Sequence, residues 1–235
     1  MTEQGRKFSA LVSGGKDSLS CAAWLADRGQ LERCVSLDTG IAVPGWLEFI
    51  QAVCATRGWP LEVYKTPVSY DALVEKYGFP GPGRHWVMVA ALKGRGVRQF
   101  KKKHPGAMLA SGARKQESAR RLRTVGEWNK MEGVTVWNPL WEWSDEKTWE
   151  FFYAKGLSRA PAYSTLAISG DCLCGAYARP DEFALLQVAY PAVYSRLCDL
   201  GAKIQERHPD RCRWGWGATW KRQKVSSPSC VECVG

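Results

Sequence analysis

One short segment near the N-terminus constrains the fold of this chain more than any other. Residues 13–18 read Ser-Gly-Gly-Lys-Asp-Ser, between an apolar run over 8–12 that predicts a buried strand and a segment over 18–28 that predicts a helix. Glycines in a strand-to-helix turn let backbone N–H groups approach an anion, and the helix start adds partial positive charge. The segment therefore predicts a phosphate-binding loop at the carboxyl edge of a sheet.

The side chains of this loop suit phosphate binding but exclude two commoner motifs. Lys16 and the hydroxyls of Ser13 and Ser18 can bind phosphate oxygens, and we expect Lys16 to be exposed at the strand end. A Walker loop would place glycine at position 10 and serine or threonine at position 17, where this chain has Ala10 and Asp17. The G-x-G-x-x-G dinucleotide fingerprint is absent as well. Asp17 would repel a phosphate unless it holds a metal ion or orients Lys16.

Strand-like and helix-like segments alternate along the first two thirds of the chain. Further strands are predicted over 34–37, 61–66, 107–110 and 134–137, and further helices over 46–57, 70–77 and from Ser144 onward. This alternation is typical of an α/β, Rossmann-like fold, a parallel twisted sheet with helices on both faces. After Gly156 helical segments and clustered cysteines replace it. We therefore divide the chain into a nucleotide-binding domain, 1–160, and a small, mainly helical C-terminal region, 161–235.

Charge and hydropathy bear on partners and location. The chain has 33 Lys and Arg against 23 Asp and Glu, a net charge of +10, which favours an anionic partner such as a nucleotide, a nucleic acid or a sulfated metabolite. A basic surface without such a partner is the alternative. Neither an apolar run of about 18 residues nor a signal peptide is present, so we expect a cytoplasmic protein with no membrane partner.

Two close cysteine pairs predict a metal centre in the C-terminal region. Cys172 and Cys174 form one pair, and Cys230 and Cys233 the other. Because cytoplasmic thiols stay reduced, these pairs suit an iron–sulfur cluster or tetrahedral zinc better than disulfides. A redox dithiol or an unstructured tail is the alternative for the second pair, and Cys212 is a substitute ligand. Four other cysteines fall on apolar faces and are expected in the core: Cys21, Cys34, Cys54 and Cys198.

Further candidate residues follow the second and fourth strands, at the same edge of the sheet. Asp38 follows the second strand, where a carboxylate can bind ribose hydroxyls or a metal. Gly112, Arg114 and Arg120 follow the fourth, and arginine suits planar phosphate or sulfate recognition. Glu117 would pair with an arginine or hold a metal. The alternative for this run is a solvated helix face with i,i+3 ion pairs.

These segments together resemble a known superfamily. Residues 13–18 match the S-G-G-x-D-S PP-loop of the ATP pyrophosphatases, the adenine nucleotide alpha-hydrolase superfamily. Residues 37–44, with Asp-Thr-Gly and then Pro44, resemble the D-T-G-x-x-x-P segment of its phosphoadenylyl-sulfate reductase-like branch. Residues 111–120 resemble the G-x-R-x-x-E-S-x-x-R motif of that branch. The resemblance covers about residues 7 to 178, and the family stretch leads to a cysteine pair, here Cys172 and Cys174.

The resemblance implies an enzyme that transfers AMP from ATP to a substrate, with Mg²⁺, and releases pyrophosphate. It implies catalytic roles for Lys16, Asp17 and Arg114. It implies ATP contacts from Ser13, Gly14, Gly15, Lys16, Asp17, Ser18, Asp38, Gly112, Arg114, Glu117 and Arg120. The adenylated substrate would be DNA or RNA, as in the DNA phosphorothioation relatives, and a cysteine desulfurase would supply sulfur. Because relatives often carry a [4Fe–4S] cluster, the four cysteines favour a cluster, with zinc as the alternative.

Two other functions stay open. A thioredoxin-dependent reductase of adenylyl or phosphoadenylyl sulfate would use Cys230 or Cys233 as its nucleophile. The tail over 232–235 lacks the histidine of the E-C-G-x-H motif of such reductases, and the intact PP-loop implies ATP. The other function is a nucleotide-dependent nucleic-acid-binding partner without turnover. Of two basic stretches, 84–103 lacks dense aromatic interleaving, whereas the aromatic tail over 211–222 would stack bases or pack around the cysteine site.

Overall fold

A six-stranded sheet organises the part of the chain that the computed structural model describes, residues 5–117 and 125–219. Its strands lie in the order β3-β2-β1-β4-β6-β5. Their bounds are β1 Phe8–Leu11, β2 Leu31–Asp38, β3 Leu61–Lys65, β4 Leu109–Ala110, β5 Trp128–Met131 and β6 Val134–Trp137. The first four neighbouring pairs are parallel. This sheet, with helices around it, confirms the predicted α/β, Rossmann-like fold.

Strand β5 is a feature that the sequence analysis missed. It pairs antiparallel with β6, with Trp128 opposite Trp137 and Met131 opposite Val134. Glu132 and Gly133 form the tight connection, both at positive φ, the geometry that suits the twist of a two-residue hairpin. Because β5 is an edge strand whose residues are exposed or half-buried, it carries no continuous apolar run to reveal it.

Helices pack around the sheet and continue into the C-terminal region. Their bounds are α1 Lys16–Asp27, α2 Trp46–Arg57, α3 Tyr70–Tyr77, α4 His85–Met88, α5 Arg95–Lys103, α6 Asp145–Ala154, α7 Ala162–Leu166, α8 Glu182–Ala189 and α9 Pro191–Ile204. A π-helical turn, Val89–Gly94, joins α4 to α5 into one helix over 85–103. Short 3₁₀ turns lie at Pro82–Arg84, Pro209–Arg211 and Trp216–Thr219.

The helix starts follow capping chemistry, with one exception at the predicted phosphate loop. The hydroxyl of Ser144 accepts a hydrogen bond from the backbone N–H of Lys147 at 3.1 Å, which confirms the predicted start of α6. Ser69 caps α3 in the same way. Helix α1 begins two residues earlier than predicted, and its N-cap residue, Gly15, has no side chain to cap it. The first N–H groups of α1 therefore stay available to an anion.

The sheet separates two apolar clusters. On β1, Ala10 belongs to the larger cluster, with residues of α1 and α2, whereas Leu11 belongs to the smaller one, with Val97 and Phe100 of α5. Side chains of the C-terminal region, such as Leu197, join the larger cluster. The division at residue 160 stays a prediction. Within the described ranges no helix has the length and apolar character needed to cross a membrane.

Candidate functional site

The predicted phosphate loop forms a tight turn at the carboxyl end of β1. Gly14 has a φ of +85°, a conformation that favours glycine. The hydroxyl of Ser18 accepts a hydrogen bond from the Ser13 N–H at 3.2 Å and donates one to the Gly15 carbonyl at 2.9 Å. The Trp46 indole N–H donates to the Ser13 carbonyl at 2.8 Å. The loop is therefore held in one shape from both sides, beside a cavity that Ser13, Gly15 and Ser18 help to line.

Lys16 lies beneath this loop, and the expectation that it is exposed is wrong. Its side chain is only 4% exposed. The ammonium Nζ lies 2.7 Å from Asp145 Oδ1 and 3.3 Å from Asp17 Oδ1, and 5.3 Å from the centre of the Trp149 ring. Asp145 and Trp149 both belong to α6, which packs against α1. Helix α6 therefore covers the start of α1, a contact between residues 129 positions apart that no local pattern reveals.

Arg114 reaches the same two carboxylates from the loop after β4. Its Nε donates to Asp17 Oδ1 at 2.7 Å, and its Nη2 donates to Asp145 Oδ1 at 2.8 Å. Two cations and two carboxylates thus form one cluster, which we call the charge cluster: Lys16, Arg114, Asp17 and Asp145. Asp17 accepts hydrogen bonds from both cations, so of its two predicted roles the contacts favour orienting Lys16 over holding a metal.

The charge cluster has one solvent-accessible member. The Asp145 side chain is 35% exposed, against 4% or less for the other three. Burial acts to raise the pKa of Asp145, but Lys16 and Arg114 hold that pKa below its usual value. Burial acts to lower the pKa of Arg114, and the neighbouring Asp17 carboxylate outweighs it and raises that pKa. Asp145 and Arg114 are therefore both charged at neutral pH.

Gly112 lets the loop after β4 approach the phosphate loop. A Cβ at this position would lie 2.2 Å from the backbone oxygen of Asp17 and 2.7 Å from the backbone nitrogen of Ser18. Because both neighbours are backbone atoms, a side chain would force the two loops apart. The close approach brings Arg114, two residues later, within reach of Asp17. Gly112 lies at the sheet edge, where its place after a strand predicts it, and its contact with a nucleotide stays a prediction.

A second buried ion pair lines the cavity, and the sequence pattern did not predict it. Lys93 Nζ lies 3.0 Å from Asp171 Oδ2, and both side chains are 4% exposed and line the cavity. The hydroxyl of Ser169 donates to Asp171 Oδ1 at 2.6 Å, and that of Thr39 to the Asp171 carbonyl at 2.9 Å. Lys93 stands in a run that reads as a basic surface. The π-helical turn is the feature that distinguishes it, since such turns often occur at functional sites.

Two of the remaining predicted nucleotide contacts, Asp38 and Glu117, lie at the same edge. Asp38 is half-buried, and its Oδ1 accepts from the Gly40 N–H at 2.8 Å. Glu117 is buried, and its Oε2 accepts from the Arg114 N–H at 3.2 Å. The alternative of a solvated helix face is wrong for Arg114 and Glu117, which are buried outside any helix. Arg120 lies outside the described residues.

Only one of the two predicted cysteine pairs falls within the described ranges. Cys172 and Cys174 are both buried, and the Tyr70 hydroxyl donates to the Cys174 carbonyl at 2.9 Å. Burial raises the pKa of Tyr70 well above its usual value, and the two nearby thiols raise it further. Cys230 and Cys233 lie outside the described residues. In the described part of the chain, no three His, Cys, Asp or Glu side chains are grouped as metal ligands.

The other cysteines divide between core and surface. Cys21, Cys34 and Cys54 are buried, as predicted, but Cys198 is exposed, so its assignment to the core is wrong. Cys212, the substitute ligand, is half-buried, and its thiol donates to the Pro209 carbonyl. Neither Cys198 nor Cys212 joins a group of potential metal ligands within the described residues.

Trp214, in the aromatic stretch over 211–222, packs against residues 171–175, which we call the cysteine loop. The Trp214 indole N–H donates to the Leu173 carbonyl at 2.8 Å, and its ring stacks on Phe183 at 5.5 Å. The Trp216 indole N–H donates to the Phe79 carbonyl at 2.7 Å. Of the two interpretations of this tail, packing around the cysteine site therefore holds for Trp214, which is 5% exposed.

The chain is similar to a known protein family and to solved structures. The family model of the phosphoadenosine phosphosulfate reductase domain matches residues 7–173. No curated protein matches the chain. One similar solved structure is the phosphoadenylyl-sulfate reductase from Candida auris in its phosphate complex, 16% identical, with a TM-score of 0.49 over 65% of this chain and 74% of that one. Another is the U34-tRNA thiolase NcsA from Methanococcus maripaludis with its [4Fe-4S] cluster, 14% identical, with a TM-score of 0.51 over 89% and 68%. At this identity, the likeness to the thiolase shows a shared fold.

Proposed function

Because the chain belongs to the phosphoadenosine phosphosulfate reductase domain family, we propose that it is an ATP pyrophosphatase-type enzyme that adenylates a substrate for sulfur transfer. The observation that carries this proposal is the convergence of two buried cations, Lys16 and Arg114, on one carboxylate beside the phosphate loop. They come from different loops at one sheet edge, where α/β folds bind nucleotides. Two cations at one site favour a ligand with several negative charges, and a triphosphate is such a ligand.

The charge cluster supports a specific mode of triphosphate binding. Lys16 and Arg114 share the exposed carboxylate of Asp145, while Asp17 holds both cations from behind. An incoming phosphate would replace Asp145 as their partner without first desolvating a free cation. The uncapped N–H groups at the start of α1 would bind the same phosphates. Asp17 is then a positioning residue, and Lys16 and Arg114 are the groups that touch ATP.

The proposed reaction has two displacements. A substrate oxygen attacks the α-phosphorus of ATP, its bond to that phosphorus forms, and the bond from the phosphorus to the bridging oxygen breaks. Pyrophosphate leaves with that electron pair, and the substrate carries AMP. A thiol reductant releases hydrogen sulfide from the persulfide of a donor such as a cysteine desulfurase. The sulfide then forms a bond to the substrate as the bond from the substrate to the AMP oxygen breaks, and AMP leaves with that electron pair. Lys16 and Arg114 neutralise the charge that grows on the leaving phosphate oxygens, the largest contribution that fixed groups make in such reactions.

Mg²⁺ fits this site through Asp145. Mg²⁺ is usually held by one or two carboxylates together with the phosphates of the substrate. The oxygens of Asp17 are engaged by Arg114 and Lys16 and the side chain is 1% exposed, whereas Asp145 is open to solvent. Asp145 would hold the ion, which supplies further neutralisation of phosphate charge.

Two buried thiols fit one half of a four-cysteine centre. Cys172 and Cys174 would supply two thiolates, and Cys230 and Cys233 the other two, for a [4Fe–4S] cluster or, as the alternative, zinc. Such a centre would anchor the tail or relay sulfur. We expect Cys230→Ser/Cys233→Ser protein, purified anaerobically, to lose its iron and sulfide, or its zinc, by elemental analysis. A full complement of metal in that variant would contradict the four-ligand site.

ATP–pyrophosphate exchange, measured with short RNA and DNA added as acceptors, tests the proposed chemistry. We expect Lys16→Gln to lower exchange by at least about 100-fold, since it removes a buried charge from the phosphate site. Lys115→Gln, a half-exposed lysine outside the cluster paired with Glu142, is the matched control and should retain exchange. Thermal melting of both variants separates lost chemistry from lost folding. Exchange unchanged in Lys16→Gln would remove Lys16 from the mechanism.

Pyrophosphate exchange, combined with calorimetry of nucleotide binding, separates the proposed function from the two alternatives. A sulfonucleotide reductase would bind adenylyl sulfate in calorimetry, without binding ATP or catalysing exchange. A nucleic-acid-binding partner without turnover would bind ATP and show no exchange. Membership of the phosphoadenosine phosphosulfate reductase domain family supports the reductase alternative. The nucleophile of such a reductase would be Cys230 or Cys233, and both lie outside the described residues.

A further inference from the structure

A second, open groove lies on the outer face of the helix over 85–103, away from the phosphate loop. The end of α3, the loop over 78–84 and the outer side of the helix line it. Three of its lining residues are arginines, Arg84, Arg95 and Arg98, and none of the described residues that line it is acidic. We call it the arginine groove. Its potential is therefore positive, and a negatively charged partner is the one it attracts.

The three arginines differ in how they are engaged. Arg98 forms an ion pair with Glu132. The guanidinium groups of Arg84 and Arg95 are exposed and have no ion pair or hydrogen bond within the described residues. Two guanidinium groups with unused donors on one groove favour a partner that carries several phosphates or carboxylates.

Trp86 adds an aromatic surface to the same groove. It is 69% exposed, and among the described residues its ring meets neither another aromatic ring nor a cation. Other tryptophans of the chain are held in place, as Trp128 is by stacking on Trp137 and Trp216 by its bond to Phe79. An indole beside unpaired guanidinium groups is the combination that binds a base and its phosphates, since every base offers a face for stacking.

We propose that the arginine groove binds single-stranded nucleic acid, with a base stacked on Trp86 and backbone phosphates on Arg84 and Arg95. A duplex keeps its bases stacked inside, so Trp86 selects the single strand. This inference deepens the proposed function, because it names the class of acceptor and where it docks. The helix links the two sites, with Lys93 on its inner face in the cavity and Arg95 on its outer face.

Fluorescence anisotropy with labelled, single-stranded oligo(U) and oligo(dT) of about 16 nucleotides, a length that covers usual site sizes, tests the groove. At about 0.1 M salt, each phosphate contact on a single strand contributes about fivefold in affinity. We expect Arg84→Gln/Arg95→Gln to weaken binding about 25-fold and to lower the salt slope by about 1.4. We expect Trp86→Ala to weaken binding about tenfold, and Trp86→Phe to recover most of that loss.

The matched control removes the same charge elsewhere. Lys155→Gln/Lys203→Gln deletes two lysines outside the groove, each paired with one carboxylate, and should change affinity by less than about threefold because salt screens distant charges. Equal losses in the two double variants would overturn the groove. So would wild-type protein that binds neither oligonucleotide, equal losses in Trp86→Ala and Trp86→Phe, or competition by poly-glutamate as strong as by oligo(U).

The ATP chemistry is measured separately on the wild-type protein. Oligonucleotide binding through the groove without ATP binding would contradict the proposed function and leave the groove standing. ATP binding with no oligonucleotide binding would overturn the groove and leave the proposed function standing.

Discussion

Replacing Gly112 by alanine tests how closely the two loops of the site must approach. The new Cβ would lie 2.2 Å from the backbone oxygen of Asp17, where real contacts do not fall below 3.0 Å. The loop after β4 must therefore retreat by about 0.8 Å, a backbone shift of the kind that overpacking produces. The Arg114 Nε to Asp17 Oδ1 hydrogen bond would then stretch from 2.7 Å to about 3.5 Å, beyond the usual range.

Both consequences lower stability. Overpacking of this kind costs about 1–3 kcal/mol, and a weakened hydrogen bond between buried charges adds about 1.5 kcal/mol or more. A total near 3 kcal/mol would lower the Tm of a chain of this size by about 6–12 °C. Because Arg114 is displaced from the phosphate site, we also expect ATP affinity to fall about tenfold, the equivalent of about 1.4 kcal/mol.

Gly83→Ala is the matched control for this substitution. A Cβ at Gly83 meets nothing within 4 Å, and its φ lies outside the left-handed region. Its stability should therefore stay within about 0.5 kcal/mol of wild type. Differential scanning calorimetry gives both Tm values, and titration calorimetry gives both ATP affinities. If Gly112→Ala melted with Gly83→Ala and bound ATP as wild type does, the close approach would not be what positions Arg114.

Two further predictions concern buried and partly buried charges. Lys93→Met removes the ion-pair partner of the buried Asp171 carboxylate, so it should lower the free energy of unfolding, measured by urea denaturation, by about 3–5 kcal/mol. The double variant Lys93→Met/Asp171→Leu should recover part of that loss, because it removes the unpaired charge as well. Equal losses in the single and the double variant would contradict the pairing. Burial acts to raise the pKa of Glu62, but the Tyr64 hydroxyl and then His104 hold it at about 2, below its ordinary 4.5. Its stabilising effect is therefore present above pH 4.5 and lost as the pH falls from 4.5 towards 2, so Glu62→Gln should flatten that part of the stability–pH profile, and an unchanged profile would refute it.

The parts of the fold that depend on local pattern were predictable. The strand over 8–11, the glycine turn and the helix after it are adjacent in the chain, and each has its own signal in residue type and spacing. Helices α2 and α3 have the predicted bounds, and Ser144 caps α6 as expected. Strand β5 escaped because an edge strand with exposed residues has neither an apolar run nor a buried face to reveal it.

The parts of the site that depend on contacts across the chain were not predictable. Asp145 reads in the sequence as an ordinary acidic residue in the first turn of a helix, which the helix dipole alone explains. Its contact with Lys16 joins positions 129 residues apart. Lys93 reads as one cation in a basic run, and only the π-helical turn and the packing of the cysteine loop bring it to Asp171. Burial of Lys16 follows from the same long-range packing.

The pairing of charges in the cluster explains how the protein keeps two cations buried when the triphosphate that we propose as ligand is not bound. An unpaired buried lysine would lose its proton, and an unpaired buried arginine, which keeps its charge, would destabilise the fold. Asp17 stays buried and fixes the positions of Lys16 and Arg114, whereas Asp145 is at the surface and already partly hydrated. Exchange of Asp145 for a phosphate oxygen therefore replaces one ion pair by another and requires no new buried charge. If ATP binds here as we propose, its affinity depends on the ease with which Asp145 leaves the two cations, and the orientation of its phosphates depends on Asp17. The two carboxylates would then have separate tasks within one cluster.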